Sequence, residues 1–384
     1  MVSHKRRIFV VGPILPFTGG IAQSNTVLCT NLAKSNDVTA ISYSMMYPAL
    51  LYPGKSQKSG TSLKNPPFKQ IFVLNTLNPI SWFRVVNRVR KEKPNWVVFQ
   101  WWHTYFFPAY FFISRFSKLF GAKVNFVCHN VLPHEDSIAK KVIHAPLTKI
   151  LLKTATHVTT LSSSELAIAK KLVPHAKADF IFENSFVAVT NRRIISKATA
   201  LSKLHLQKEK TLLFFGAVRP YKGLEDLIEA VKILSEKEIK VNLVVAGAFW
   251  EPVEKYRALA EKFGISKHVF FFNKYISDEE VPVFFAASDL LVLSHRSATQ
   301  SAVPQLAFIH NLPMVATSVS GNAPFVDEGK TGFLVPPNNP EKMAFAIKKF
   351  FDLRLSASFS KKMKSKVKMF EWSEEKEKKF FGED

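Results

Sequence analysis

Apolar residues recur along this chain in two alternating rhythms. Short unbroken runs rich in Val, Ile, Leu and Phe read as strands buried on both faces, and longer stretches with apolar positions three and four apart read as helices. In the first half the spacing predicts strands at Ile8–Val11, Val38–Ser42, Gln70–Leu74, Trp96–Gln100, Val124–Cys128, His157–Leu161 and Asp179–Phe182. Helical stretches lie between most of them, among them Ala22–Lys34, Trp82–Lys91 and Ser137–Thr154. In the second half the strands are Leu212–Phe215, Val241–Ala246, Val269–Phe272, Leu290–Leu293 and Pro313–Thr317. Helices are predicted at Leu224–Lys237, Pro252–Phe263, Asp278–Ala287, Pro304–Ile309 and Pro340–Phe351. Strand and helix in strict alternation, with fully apolar strands, predict parallel sheets covered on both faces. Two such series in tandem predict a two-domain α/β protein with a cleft between the domains. The expected bounds are 1–190 for the first domain, 191–206 for a linker, 207–352 for the second domain and 353–384 for a helical tail.

Three segments break the rhythm. Tyr47–Pro67, rich in Pro, Gly, Ser and Lys, is too long for a plain turn and reads as a lid or acceptor loop. The aromatic stretch from Trp101 to Phe120 is interrupted by His103, Pro108, Arg115 and Lys118, so it reads as a core helix rather than a membrane span. Past Ser356 a basic helical run leads into Phe370-Glu-Trp-Ser-Glu-Glu, where a last helix anchored by Trp372 and a disordered end are both open readings.

Composition adds limits. At 384 residues, 47% hydrophobic and 22% charged, the chain suits two globular domains. Cys29 and Cys128 lie far apart and form no metal-ligand spacing, and no signal-peptide pattern precedes Ile8; both fit a cytoplasmic protein. The charge is one-sided. Residues 1–200 hold 26 Lys and Arg against 7 Asp and Glu, whereas residues 201–384 hold 27 against 23. A first half this basic suggests an anionic partner, such as the inner face of the plasma membrane or a phosphate-bearing lipid. Nucleic acid is set aside: no zinc pattern, RNA-binding aromatic motif or basic heptad region accompanies the charge.

Candidate chemistry gathers where predicted strands end. Leu212-Leu-Phe-Phe-Gly216-Ala-Val-Arg219-Pro-Tyr-Lys222-Gly223 runs from an apolar strand through a glycine and two cations into a helix. That layout suits an anion: the helix start offers free N–H groups and positive dipole, Gly216 allows close approach, and Arg219 and Lys222 neutralise phosphate. Gly19-Gly20 stands in the corresponding turn of the first half. His129 ends another strand and is a catalytic candidate beside Arg219 and Lys222, its neutral ring suited to a sugar hydroxyl or to acid or base work; Asn130 and Glu135, in the cluster with His134 that follows it, and Trp102-His103 at the end of a third strand are candidates for the acceptor side. Downstream, Ser297, Thr299, Gln300 and Ser301 either hold a diphosphate or sugar or serve as a helix N-cap run.

Together with Asp327-Glu-Gly-Lys-Thr-Gly332-Phe-Leu-Val-Pro-Pro, these strings resemble family 4 glycosyltransferases of the GT-B fold, which pair two Rossmann-like domains. Trp101-Trp-His, Cys128-His-Asn-Val-Leu-Pro-His-Glu and Phe215-Gly-Ala-Val-Arg-Pro-Tyr-Lys-Gly resemble one bacterial, nucleotide-sugar-dependent branch. The resemblance implies transfer of a sugar from a nucleotide-diphosphate donor, with retention at the anomeric carbon and neither metal nor cofactor. It implies that Gly20 faces the donor phosphate, that His129 lies near the sugar, and that Arg219 and Lys222 neutralise the leaving diphosphate. The acceptor it suggests is a lipid-linked or cell-envelope glycan. The chain departs from the family where two glutamates usually stand: those positions hold Ala298 and Leu306, and Ala302, Asn311 and Pro324 are further departures. Two other readings stay open, a non-catalytic protein with a degraded nucleotide-sugar cleft and a nucleotide-sugar 2-epimerase.

Overall fold

Two parallel sheets organise the chain, one in each of two compact units, Met1–Ala188 with Trp372–Asp384 and Val189–Glu371. The structure is a computed structural model. It describes residues 5–48, 57–58, 65–132, 138–174, 177–180, 195–277, 279–298, 301–367 and 371–383.

In the first unit the strands are β1 (Arg7–Val11), β2 (Asp37–Met45), β3 (Lys69–Asn75), β4 (Trp96–Trp101), β5 (Lys123–Cys128), β6 (His157–Thr160) and β7 (Lys177–Phe180). They lie in the order β3-β2-β1-β4-β5-β6-β7, every pair parallel. The connecting helices are α1 (Gly20–Leu32), α2 (Pro79–Glu92), α3 (Phe107–Leu119), α4 (Ile138–Leu152) and α5 (Ser163–Leu172). Right-handed crossovers put α2 to α5 on one face of this sheet and α1 on the other. Two apolar clusters follow from the period-two alternation of the strands. Phe9, Phe99 and Phe126 pack with Val85, Tyr110 and Leu151 on the first face, while Ile8, Val10 and Val98 pack with Leu28 and Leu32 on the second.

The second unit holds α6 (Lys197–Lys203), β8 (Lys210–Phe215), α7 (Leu224–Glu236), β9 (Val241–Ala246), α8 (Val253–Lys262), β10 (Val269–Phe272) and α9 (Val281–Ala287). It continues with β11 (Leu290–Leu293), α10 (Val303–His310), β12 (Met314–Thr317), β13 (Gly332–Val335), α11 (Pro340–Asp352) and α12 (Ser356–Lys366). The strand order is β10-β9-β8-β11-β12-β13. The chain then returns to the first unit as α13 (Glu374–Phe380), where Phe380 and Phe381 join Trp96 in the second of its clusters.

Four expectations change. The aromatic stretch Trp101–Phe120 is not one helix: Trp101 closes β4, a single 3-10 turn spans Thr104–Phe106, and only then does α3 begin, with Pro108 in its first turn. The stretch 191–206 is more than a linker, because α6 buries Ala200 and Leu201 in the core of the second unit. The tail 353–384 divides, α12 staying with the second unit and α13 with the first. Finally, β13 forms where no strand was foreseen, pairing with β12 from Met314 opposite Gly332 to Thr317 opposite Val335. The loop Tyr47–Pro67 falls largely outside the described residues.

Candidate functional site

Parallel strands deliver their loops to the carboxyl edge of each sheet, and the candidate residues sit there. In the second unit β8 is buried up to Phe215 and ends at Gly216, whose φ of 98° lies in the region that favours glycine. The Gly216 N–H donates to the Ala246 carbonyl at 2.9 Å, and a Cβ added at Gly216 would stand 3.0 Å from the Lys222 Nζ. The lysine amine therefore rests over the bare Cα at the strand end. A 3-10 turn, Pro220–Lys222, leads to Gly223 in the left-handed region, and α7 starts at Leu224. Two bonds lace this turn to the loop after β11: Ser294 Oγ donates to the Lys222 carbonyl at 2.8 Å, and the Arg296 N–H donates to the Tyr221 carbonyl at 2.7 Å.

Lys222 is only 9% exposed and has no carboxylate partner among the described residues. Burial, helped by the neighbouring Arg219 charge, pushes its pKa down to about 8. Arg219 is half-buried, likewise without a carboxylate, and its guanidinium lies 3.7 Å from the centre of the Trp250 ring. The acids nearby are committed elsewhere. Arg296 holds Asp226 in a two-point grip at 3.0 and 2.6 Å, and Lys255 holds Glu225 at 2.7 Å. Among the described residues, the two adjacent cations thus face no carboxylate.

His295, which the sequence reading passed over, is buried at this edge. Its Nδ1 lies 3.1 Å from Asn322 Oδ1, while the Asn322 amide donates to Thr317 Oγ1 at 3.3 Å and that hydroxyl donates to the His295 carbonyl at 2.6 Å. The chain of bonds puts the proton on Nδ1 and leaves the lone pair on Nε2. Burial first, and the Lys222 charge second, lower the His295 pKa to about 3, against the Asn322 bond that raises it, so the ring is neutral at pH 7.

Ser297 is exposed and Ser301 half-buried; Thr299 and Gln300 lie outside the described residues. No side chain caps α10, whose N-cap is Ala302, so the hydroxyl run does not serve as an N-cap there. Gln305, in the first turn of that helix, was also passed over: it is 1% exposed with neither amide atom bonded. Asn311 ends the same helix at a φ of 52°, a conformation asparagine tolerates better than most residues.

In the first unit, Gly12 follows β1 and has Gln100 packed against it; an added Cβ would come within 2.5 Å of Gln100 Cγ. Gln100 Oε1 in turn lies 2.8 Å from His129 Nε2. An amide oxygen only accepts, so His129 carries its proton on Nε2 and presents the Nδ1 lone pair. Burial lowers its pKa to about 4. Asn25 donates to the Pro13 carbonyl at 2.9 Å, and its Oδ1 and Gln100 Nε2 are both buried and unpaired. Gly19 caps α1 with a φ of 107°, and Cβ atoms added at Gly19 or Gly20 would meet no atom of the described residues within 4 Å.

Trp102 donates its indole N–H to the Tyr47 hydroxyl at 3.2 Å. His103 Nδ1 accepts the Tyr105 N–H at 3.0 Å and faces His144 with ring centres 5.6 Å apart. Asn130 is half-buried beside His129, and Glu135 lies outside the described residues. Among the described residues, Glu165 of α5 ties into this loop, accepting the Val131 N–H at 2.6 Å. Within each unit the structure gathers the candidates on one edge: Gly19, Gly20, His129, Asn130, Trp102 and His103 in the first, Gly216, Arg219, Lys222, Ser297 and Ser301 in the second.

The same architecture occurs among known proteins. The structure aligns with Anabaena HepE in complex with UDP at a TM-score of 0.73 and 15% identity, covering 95% of this chain and 96% of that one. It aligns with sucrose-phosphate synthase from Thermosynechococcus elongatus at 0.72 and 18% identity, covering 96% of each. The fold is GT-B. Residues 197–368 match the family model of glycosyl transferases group 1. By sequence the chain is 29% identical over 222 residues to the D-inositol 3-phosphate glycosyltransferase of Streptomyces avermitilis, covering 53% of this chain and 47% of that protein. It is 32% identical over 149 residues to the Corynebacterium efficiens protein of the same description, covering 37% of this chain and 35% of that one. The matches thus span about half, or less, of the length of these curated relatives.

A direct test of the first-unit geometry is Gln100→Glu. A carboxylate in place of the amide beside His129 Nε2 favours the imidazolium, and we expect the His129 titration, followed by NMR, to move up from about 4 by at least roughly one unit. No movement would mean that Gln100 does not face the ring in solution.

Proposed function

We propose that this protein is a glycosyltransferase of family 4 that moves a sugar from a nucleotide-diphosphate-sugar donor to a lipid-linked or cell-envelope glycan acceptor, with retention at the anomeric carbon and without a metal. The observation that carries this is Lys222: a buried cation set on a bare glycine beside Arg219, neither with a carboxylate partner among the described residues. Departure of a nucleotide diphosphate builds negative charge on phosphate oxygens, and cations already desolvated and fixed in place stabilise that charge without reorganising. Gly216 and the uncapped start of α10, with Ser297 and Ser301, complete a set of donors for the diphosphate and sugar. On the first unit, the helix start at Gly19-Gly20 and the neutral His129 are suited to the donor phosphate and a sugar hydroxyl, with Trp102, His103 and Asn130 on the acceptor side. The UDP and UDP-glucose bound in HepE structures support a nucleotide-diphosphate donor.

Thermal-shift and hydrolysis assays against a panel of nucleotide sugars test this reading. One donor should stabilise the protein and be slowly hydrolysed. The observation that favours a second reading, a non-catalytic cleft, is the absence of both family glutamates: Ala298 offers only its carbonyl to Gly321 and Ser320, and Leu306 packs on the core. No stabilisation by any donor would decide for it.

The reading also fixes a pH dependence. Lys222 must be charged to receive the diphosphate, so kcat/KM for the donor should fall as pH rises through about 8, the pKa of the free enzyme. Lys222→Arg, whose guanidinium stays charged, should remove that limb. Stability moves the other way. The folded pKa lies below the unfolded value of about 10.4, so the penalty of burying the charge is present below pH 8 and relaxes as pH rises through that window.

A further inference from the structure

Large exposed apolar side chains are not scattered over the first unit. Among the described residues, apart from Phe72 on β3, they are Leu77 just ahead of α2, Ile80 and Phe83 at its start, Leu119 at the end of α3, and Val142, Ile143 and Ile150 on α4. These three helices pack side by side, α2 on α3 and α3 on α4, over one face of the sheet. Phe83 continues inward through its edge-on contact with Phe112, at 4.8 Å between ring centres, so the patch is the outer skin of a packed aromatic layer.

The same layer is almost free of acid. Across α2, α3 and the described side chains of α4, the one carboxylate is Glu92, and it is held by Arg88 at 2.6 Å. Arg84, Arg115, Lys118, Lys149 and Lys153 are exposed and pair with no carboxylate among the described residues. An apolar surface fringed by unmatched cations is complementary to one kind of partner in particular, a bilayer with anionic headgroups. Its acyl boundary takes the rings and aliphatic chains, and its phosphates take the cations. No helix among the described residues is long and apolar enough to cross a membrane, which leaves lying on it.

We propose that the α2–α3–α4 layer is a docking face for an anionic membrane surface. The topology gives the contact a use. In a parallel sheet each helix begins where a strand ends, so the first halves of α2 and α4, with Ile80, Phe83, Val142 and Ile143, and Leu77 just ahead of α2, lie toward the carboxyl edge that holds His129 and Gly19-Gly20. Docking there brings a lipid-borne acceptor to the edge on which the first unit's candidate residues stand. The inference deepens the lipid-linked acceptor reading, yet the face itself needs no donor chemistry and is tested apart from it.

The experiment is co-sedimentation of the full chain with vesicles of phosphatidylcholine alone and of phosphatidylcholine with phosphatidylglycerol, at low and high salt. It compares wild type, Ile80→Ser/Phe83→Ser and Arg84→Ser/Arg115→Ser/Lys118→Ser. Circular dichroism melts and donor stabilisation are read on each. Wild type should bind the anionic vesicles, lose them at high salt, and ignore phosphatidylcholine. Each variant should bind them on the order of tenfold or more weakly while its melt and donor stabilisation stay unchanged. Equal binding by wild type and variants, or no binding by wild type at low salt, overturns the proposal. So does a concentration-dependent dimer that Ile80→Ser/Phe83→Ser dissolves, since the face would then be covered by a second copy. Loss of donor stabilisation in every protein, with vesicle binding intact, would strike the transferase reading and leave the docking face standing.

Discussion

Lys222→Ala should lower donor turnover by about 10²–10³-fold while the KM for the donor changes far less. The asymmetry follows from where the amine sits. In the ground state the donor diphosphate already carries its charge, and Arg219 together with backbone N–H groups can hold it. The additional charge that develops as the glycosidic bond breaks needs a cation already stripped of water. Lys222 is the buried one of the pair, its amine over Gly216, and its depressed pKa records that desolvation. Arg219 is half-buried and stacked on the exposed Trp250, so Arg219→Ala should cost less in kcat and proportionally more in KM. Steady-state hydrolysis of the donor that stabilises the protein, measured for both variants, decides the matter. Unchanged turnover in Lys222→Ala would remove the lysine from the chemistry and return the weight to the non-catalytic reading.

That cluster was legible in the sequence because its signals are local. An apolar run, a glycine, two cations and a helix start fall within one string of twelve residues, Leu212 to Gly223, and each limits its neighbours. His295 carries no such signal. Its meaning comes from Asn322, 27 positions away, and from the Lys222 charge across the loop, so only the fold makes it a buried neutral ring. Gln305 was likewise invisible: an amide in an apolar helical pattern reads as a surface position until its burial is seen. The miss at Gly332–Val335 has another cause. The segment is short and follows Glu-Gly-Lys-Thr, so its pattern reads as loop; the strand exists because β12 offers it an edge. The return of α13 to the first unit could not be read either, since Phe380 and Phe381 would suit any apolar cluster and local spacing names none.

Gly223→Ala should destabilise the protein by about 2–5 kcal/mol and lower activity with it. Gly223 has φ 62° and ψ 40°, where an L side chain costs about 1–2 kcal/mol. An added Cβ there would also run into the Ser294 carbonyl oxygen, with the Asp226 carboxylate 3.0 Å away on its other side. The obstacle is backbone and cannot rotate aside. Relief requires the loop after β11 to move, and overpacking of that kind adds about 1–3 kcal/mol. This is the loop that carries His295 and Arg296 and donates the lacing bonds to the Lys222 turn, so any relief disturbs the lysine as well. Gly264→Ala is the matched control. Its φ is 68°, but nothing lies within 4 Å of the new Cβ, so it should show the conformational cost alone. The difference between the two variants in denaturant melts isolates the close approach of the two loops, and donor turnover measured below the melting range shows whether that approach also positions Lys222. Equal destabilisation by the two substitutions would mean that the loop after β11 is free to yield, and the tight seating of Lys222 would then need another cause.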